Sequence, residues 1–251
     1  MGFGDFAGSS VVHGVGGACA LAGIIVIGPR VGRFREDGTP VLIPGHSIPM
    51  VALGTFILFV GWFGFNAGSQ LAPDMAVARI IANTMLAAGA GGLIGMIVFW
   101  IVDGKPDVAT TMNSVLGGLV AITACCDCVS PISAIIIGGI AGIISTAGPK
   151  LLEKFRLDDV VGAVPVHLFC GIWGTLCVAI FNEAGFSLAA LGIQTLGALA
   201  ICGSAFVIAL GVFQIIHLTI GLRAADHDQD LGLDFSEHAA SAYPYFEASQ
   251  D

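Results

Sequence analysis

Two histidines occupy equivalent places in two similar stretches of the chain. Asp5 precedes His13 by eight residues, and Asp159 precedes His167 by the same distance. Each histidine follows a valine, and a glycine comes four residues after it. The match predicts an internal repeat whose two copies begin two apolar segments.

Histidine inside an apolar membrane segment is costly and is a functional candidate by default. A neutral imidazole offers one donor and one acceptor nitrogen, so His13 and His167 together could share a proton and pass one along a dry path. The alternative is two packing histidines that bond backbone carbonyls, and the residues alone leave both interpretations open. We interpret His217, near the end of the last apolar segment, as a helix-end or interface residue.

The stretch 61–69 combines aromatic rings with a glycine-lined backbone, in the order Gly-Trp-Phe-Gly-Phe-Asn-Ala-Gly-Ser. The faces of Trp62, Phe63 and Phe65 could attract a small cation, and stacked rings could gate a pore. Ordinary aromatic packing is the alternative, and periodicity alone favours it.

Cysteines and carboxylates supply the remaining candidates. Cys125 and Cys128 have a CxxC spacing, but no further ligand is close in sequence, so a disulfide or tolerated thiols are favoured over a metal site. Asp5 could cap backbone groups or attract cations. Asp158 and Asp159 precede an apolar segment, where an acid at a helix start is structurally ordinary.

The composition of the chain decides the class of fold that positions these side chains. Of its 251 residues, 56% are hydrophobic and 11% are charged, and the mean hydropathy is +0.92. Soluble domains carry about 25% charged residues, so disorder, nucleic-acid binding and an ordinary water-facing surface are excluded. The long apolar runs also exclude an outer-membrane barrel, whose strands alternate over about ten residues. The prediction is an all-α, polytopic transmembrane helical bundle.

A membrane span needs about 20 mainly apolar residues. Seven segments are candidates: about 5–28, 48–71, 78–102, 111–128, 131–149, 162–181 and 188–222. The last has about 35 residues, or roughly 52 Å of helix, so it must tilt, bend or protrude. Glycine pairs within the spans predict close helix packing.

The basic residues predict the orientation in the membrane. Eight of the nine follow the first, third, fifth and seventh spans, and only Arg79 lies near the other side. The N-terminus is therefore expected outside and the C-terminus in the cytoplasm. The net charge of −9 is concentrated in residues 226–251, which hold seven acidic residues and no basic one. No cleavable signal peptide is expected, because the N-terminus lacks a basic region.

At several places the sequence resembles the ammonium transporter family (Amt/Mep/Rh). The resembling motifs run in family order from residue 3 to about residue 243. They are DFAGSSVVH at 5–13, GPRVGR at 28–33, GTFILFVGWFGFNAGS at 54–69, GKP at 104–106, GGLVAIT at 117–123, DD at 158–159, VH at 166–167, GIWG at 171–174, LTIGLR at 218–223, GLDFSEH at 232–238 and AY at 242–243.

The resemblance implies an eleven-helix fold of two inverted five-helix halves plus a long final helix, assembled as a homotrimer with one pore per subunit. The chain is identified with helices five to eleven, and so lacks the first four helices of the family fold. Residues 1–222 are interpreted as the membrane domain, with about seven transmembrane helices. Residues 223–251 are interpreted as the acidic cytoplasmic regulatory tail, which in relatives couples subunits and responds to PII-type signalling proteins.

The resemblance also implies roles for individual residues. His13 and His167 match the paired pore histidines, and Phe65 matches the inner ring of a phenylalanine gate. Trp62 matches a pore-lining aromatic beside that gate. Ser69 matches a residue of the external ammonium recruitment site.

The resemblance assigns structural support of the site to Asp5, which matches the acid of helix five, and to Asp159. Two departures from the family stand out. The outer gate phenylalanine and the recruitment-site tryptophan have no counterpart in this chain. Leu168 and Phe169 stand where relatives have Gly-Val, which predicts a narrower pore or a repacked helix contact.

The predicted function is ammonium/ammonia transport across the cell membrane. NH₄⁺ is recruited at an aromatic mouth and deprotonated, and NH₃ passes the paired histidines; potassium has no proton to lose, which would supply selectivity. No enzymatic activity, cofactor, metal or nucleic-acid partner is expected. The alternatives are a non-transporting truncated fragment, a membrane ammonium sensor, and a membrane enzyme with a metal. The last is disfavoured because the cysteine cluster is expected at the outer face, away from the histidines.

Overall fold

The computed structural model describes residues 2–241 and 243, which fold into helices joined by loops. The helices of these residues are α1 (Ser9–Ile27), α2 (Ile48–Gly68), α3 (Ala76–Asp103), α4 (Val108–Ile122), α5 (Pro131–Lys154), α6 (Val164–Ile180), α7 (Leu188–Thr219), α8 (Asp226–Leu231) and α9 (Leu233–His238). Ala242 of the last family motif, and residues 244–251 of the predicted tail, lie outside the described residues.

All seven predicted spans coincide with helices. Five of them, α1, α2, α3, α5 and α7, are long and apolar enough to cross a membrane. The other two are apolar but shorter: α4 has 15 residues, and α6 joins segments of 6 and 11 residues.

The predicted fourth span, 111–128, runs too far at its second end. The helix ends at Ile122, and the residues that follow form turns through Cys128. Asn83 on α3 explains the break, because its amide nitrogen donates to the carbonyls of Cys126 and Val129, at 2.9 Å each. These carbonyls are thereby held by α3 and not by a continuing helix.

One end of the bundle gathers ion pairs between loops. Arg30 donates to Asp158 from its backbone nitrogen at 3.0 Å and from Nε at 2.7 Å. Arg33 forms two ion pairs: its Nε lies 3.1 Å from Asp158 Oδ1, and its Nη2 lies 2.5 Å from Glu153 Oε1. These contacts tie the loop after α1 to the segment before α6. Asp158 precedes α6, as predicted, and its carboxylate has a structural role in ion pairs with Arg30 and Arg33.

Glycine lets α3, α4 and α5 pack with their backbones in contact. A Cβ on Gly118 or on Gly138 would collide with the backbone of Ala87 on α3. Small residues allow this close approach where lipid supplies no hydrophobic drive. The buried core between these helices includes Ile80, Leu119, Ile122 and Ile137.

The remaining long helices lie at the edges of this core. α7 lies along α1, where the Phe213 ring packs on Gly23. The outward faces of α2 and α7 expose large apolar side chains, among them Phe56, Ile57, Val60, Val207, Ile208 and Leu218. In a membrane protein such faces contact lipid or another subunit.

Candidate functional site

The two histidines are placed by matching helix starts. α1 and α6 each begin with a turn of π-helix, Ser9–Gly14 and Val164–Phe169, and each histidine lies in that turn. Such turns often occur at functional sites. Just before them the backbone takes a positive φ, 108° at Gly8 and 75° at Gly162. Glycine adopts this conformation without steric cost, so the repeat includes a glycine three residues after each aspartate.

The two aspartates of the repeat fix where these turns begin. Asp5 accepts hydrogen bonds from the backbone N–H groups of Ser9 at 2.6 Å, Ser10 at 2.9 Å and Val11 at 2.9 Å. Asp159 accepts hydrogen bonds from the backbone N–H groups at the first two corresponding positions, at 2.9 and 2.8 Å. The first N–H groups of a helix lack partners within it and carry partial positive charge, so a carboxylate stabilises them.

His13 and His167 contact each other. Their Nδ1 atoms are 3.3 Å apart, and the rings stack with centroids 5.3 Å apart and an interplanar angle of 21°. A hydrogen bond between two Nδ1 atoms needs a proton on one and a lone pair on the other, so two neutral rings take complementary tautomers. One Nε2 is then an acceptor and the other a donor. His13 Nε2 is buried without a hydrogen-bond partner among the described residues.

Two aromatic rings of α2 cover His13. The Trp62 ring stacks on the imidazole at a centroid distance of 4.8 Å and an angle of 14°, and Phe65 lies at 5.8 Å. Trp62 is buried, whereas Phe65 is 39% exposed. Phe63, the third aromatic of this stretch, instead makes an edge contact with Phe59 at 5.1 Å.

The glycines that close each repeat allow α1 and α6 to touch. A Cβ on Gly17 would collide with the backbone of Leu168, the residue after His167. A Cβ on Gly171 would collide with the carbonyl of Ser9 and the backbone of Gly14, the residue after His13. The two copies thus contact each other reciprocally beside their histidines, and this brings the imidazoles together.

The remaining predicted site residues surround this pair or lie apart from it. Ser69 follows the last residue of α2, one turn beyond Phe65, and its hydroxyl donates to the Phe65 carbonyl at 2.9 Å. His217 is exposed on α7. Leu168 is buried in a cluster with Ala18 and Cys202, and Phe169 packs beside that cluster. Leu168 and Phe169 therefore form a helix contact.

The cysteines do not form a second centre. All seven lie in the described part of the chain and are free thiols. Cys125 and Cys126 are fully buried in the turns after α4. Within residues 2–241 and 243, no group of three or more His, Cys, Asp or Glu side chains could hold a metal ion.

Polar side chains that the sequence did not single out anchor the first histidine turn. Ser9 Oγ donates to the carbonyl of Val120 and accepts from the backbone nitrogen of Ala124, at 2.7 Å each. Gln194 on α7 donates to the carbonyl of Gly4 at 2.5 Å and accepts from its nitrogen at 2.8 Å. An amide side chain within the apolar run of α7 is a signal that could have identified Gln194.

Comparisons with known proteins agree along nearly the whole chain. The model of the Ammonium Transporter Family matches residues 1–243. Ammonium transporter Amt2 of Archaeoglobus fulgidus is 46% identical over a match that covers 96% of this chain and 55% of that protein. Ammonium transporter Amt2 of Methanocaldococcus jannaschii is 42% identical over a match that covers 96% of this chain and 57% of that protein.

Solved structures share the fold. A chain described as Sensor Amt Protein matches with a TM-score of 0.91 at 37% identity, over 94% of this chain and 60% of that one. The G343C mutant of Candida albicans Mep2 matches with a TM-score of 0.84 at 26% identity, over 97% of this chain and 59% of that one. The chain thus spans a little over half the length of the relatives it matches.

Proposed function

The chain belongs to the ammonium transporter family, and we propose from that premise that the protein moves ammonium across a membrane. It is a multi-pass membrane protein with several long apolar helices. The observation that carries the proposal is the contact between His13 and His167, which two copies of one motif make beside the Trp62 ring. Because the chain spans only part of its relatives, transport by this chain is the claim to be tested.

The proposed chemistry avoids carrying a charge through hydrocarbon, which is costly. NH₄⁺ approaches the faces of Trp62 and Phe65, which attract a small cation. One N–H bond of NH₄⁺ then breaks: its electron pair stays on nitrogen as the lone pair of NH₃, and its proton goes to an imidazole nitrogen. Neutral NH₃ continues past the histidines. Potassium is excluded because it has no proton to give.

The histidine pair offers a route for that proton. The ring whose Nε2 holds a lone pair accepts the proton there and gives up its Nδ1 proton to the other ring. The second ring then donates the proton on its own Nε2 to a water molecule at the far side of the pair, so each ring ends neutral with its tautomer exchanged. The 3.3 Å separation of the Nδ1 atoms and the unpartnered Nε2 of His13 support this assignment.

We assign the other predicted residues their roles on the same basis. Phe65, exposed beside His13, is proposed as the gate ring, and Ser69, one turn further along, as part of the recruitment site. Asp5 and Asp159 are proposed as structural support, because each holds the N–H groups of a histidine turn.

We also propose that residues 1–222 form the membrane domain and residues 223–251 a cytoplasmic regulatory tail, with the N-terminus outside. Contacts of the tail with the loop after α1 support this division. Arg223 Nη1 donates to the carbonyl of Pro29 at 2.6 Å, and Gln229 accepts from the nitrogen of Val31 at 3.2 Å. We propose that the protein forms a homotrimer, which would cover part of the exposed apolar helix faces. A PII-type protein would bind at the end of the bundle that carries the tail.

Proteoliposomes that report internal pH test the transport proposal. The 251-residue chain is compared with a His13→Ala/His167→Ala variant, and exposed His217→Ala serves as the matched control. An ammonium gradient should give a fast signal with the wild type and with His217→Ala, and a signal at least about 100-fold slower with the double variant, because proton transfer contributes about that much. No signal above empty liposomes from inserted wild-type protein would overturn the proposal and favour a non-transporting fragment.

A membrane ammonium sensor is the second candidate, favoured by the likeness to the chain described as Sensor Amt Protein. A sensor binds ammonium without carrying it. It would give an ammonium-dependent change in the fluorescence of Trp62 together with no flux in the same liposomes.

A further inference from the structure

We propose that Thr123, at the end of α4, is a positioning residue that holds the Trp62 ring against His13. The proposal deepens the transport function proposed above and rests on it. Thr123 is fully buried and directly follows the last residue of α4. It is the last residue of the GGLVAIT motif at 117–123, and no role has been assigned to it above.

The hydroxyl of Thr123 has one donor and one acceptor contact. Trp62 Nε1 donates to Thr123 Oγ1 at 2.9 Å, and that hydroxyl donates to the carbonyl of Leu119 at 2.7 Å. The second bond directs a lone pair of the oxygen toward the indole. The indole N–H is the only polar group of the Trp62 side chain, so this contact fixes the ring plane that stacks on His13.

The backbone of Thr123 also holds the segment that precedes the His13 turn. Its carbonyl accepts a hydrogen bond from the nitrogen of Ala7 at 3.0 Å. The next residue is Gly8, whose carbonyl accepts the N–H of His13 at 3.1 Å. One residue thus holds both the ring that covers His13 and the segment that starts the His13 turn. Its hydroxyl sets where the ring lies relative to the imidazole.

Two substitutions separate positioning from packing. Thr123→Val keeps the shape and removes the hydroxyl, which leaves the buried indole N–H without a partner. Thr123→Ser keeps the hydroxyl and removes a methyl group. A positioning role predicts that Val is the worse change, whereas a packing role predicts that Ser is.

The test uses the full chain in lipid nanodiscs, with ¹⁵N-labelled tryptophan and histidine. Trp62→Phe identifies the Trp62 signal among the three tryptophans. In Thr123→Val we expect the Trp62 indole N–H to exchange with solvent at least about tenfold faster, and the His13 ring signals to shift while those of His217 do not. Thr123→Ser should match the wild type. In proteoliposomes the maximal ammonium flux should fall about tenfold in the Val variant, with the half-saturating concentration unchanged, and less than twofold in the Ser variant.

The outcomes separate the two proposals. Unchanged indole and His13 signals in the Val variant, equal effects of Val and Ser, or shifted signals with wild-type flux would each overturn the role of Thr123. A wild type without flux would count against transport, while the spectra would still decide whether Thr123 positions the ring. If the Val variant does not fold, Thr123→Ala is compared with Thr123→Ser, from which it differs only by the hydroxyl. The His13 signals should then shift in the Ala variant and not in the Ser variant.

Discussion

The two copies of the histidine motif have the same local structure but different surroundings. In the first copy, Val11 and Val12 beside His13 are 48% and 45% exposed. In the second, Pro165 and Val166 at the same positions are buried. α4 and α5 pack against the second turn, whereas α6 and α7 pack against the first, and two rings of α2 cover His13. The motif therefore determines the turn, and the neighbouring helices determine its access to solvent, lipid or substrate.

This difference gives the histidine pair two unequal sides. On the His167 side the neighbouring residue Leu168 belongs to a buried cluster. On the His13 side the neighbouring side chains of Val11, Val12 and Phe65 are exposed. The aromatic rings of Trp62 and Phe65 lie on the His13 side. Substitutions at matching positions of the two copies test this difference.

The largest effect is expected where the copies touch. Gly17→Ala and Gly171→Ala each place a methyl group against backbone of the other copy, which side-chain rotation cannot relieve. We expect each to destabilise the fold by about 3 kcal/mol. Gly16→Ala is the matched control, because a Cβ there has open space, and alanine should stabilise the helix by about 0.5–1 kcal/mol. Unfolding in mixed SDS micelles measures all three; a neutral Gly171→Ala would show that the contact is not reciprocal.

A smaller effect is expected at Asp158, which has no carboxylate counterpart in the first copy, since Gly4 takes its place. Burial alone would raise the pKa of Asp158, but hydrogen bonds and charge from Arg30 and Arg33 outweigh burial and hold that pKa below its usual value. Asp158→Asn should cost about 2 kcal/mol at neutral pH, less than a fully buried pair because Arg30 is partly exposed.

The sign of the pH dependence follows from the lowered pKa. The stabilisation by Asp158 is fully present above the ordinary carboxyl value of about 4, and it is lost as the pH falls through the lowered folded value. Unfolding measured from pH 7 down to pH 3 should show this loss in the wild type and not in Asp158→Asn. Parallel curves for the two proteins would contradict the assignment.

A third comparison concerns the two aspartates that begin the turns. Asp5 holds three backbone N–H groups and Asp159 holds two, so Asp5→Ala should cost about 2 kcal/mol and Asp159→Ala about 1 kcal/mol. The same unfolding measurement compares them, and exposed Asp226→Ala serves as the control. Equal costs would mean that the third bond, to Val11, adds nothing.

Much of this architecture could be predicted from the sequence. Apolar runs of helical length locate all seven long elements, because hydropathy is a local property of the chain. The repeat is visible in the spacing of Asp5, His13 and Gly17, and the opposite directions of the two spans are enough to predict that the histidines could meet. The ends of the helices are less predictable, since Asn83 on another helix decides where α4 stops.

The rest depends on contacts between distant parts of the chain. No local sequence pattern shows that Thr123 bonds the indole of Trp62 or that Gln194 bonds the backbone of Gly4. The π-helical turns follow from Gly8 and Gly162, which the spacing contains but which a search for histidine and aspartate overlooks. The difference in burial between the two turns arises only when α4 and α5 pack against the second turn and α7 packs against the first.

The smallest effect on stability, and the sharpest on function, is expected at Ser69 on the open His13 side. Among the residues that the structure describes, its hydroxyl bonds only a carbonyl of α2, so Ser69→Ala should change the free energy of unfolding by less than about 0.5 kcal/mol. If Ser69 helps to recruit ammonium, the half-saturating concentration for flux should rise about fivefold while the maximal rate stays within twofold, because only binding is weakened. Ser204→Ala, whose hydroxyl makes the same kind of bond on α7, should change neither value. A loss of maximal rate at unchanged half-saturation would instead place Ser69 in the conduction step beside the histidines.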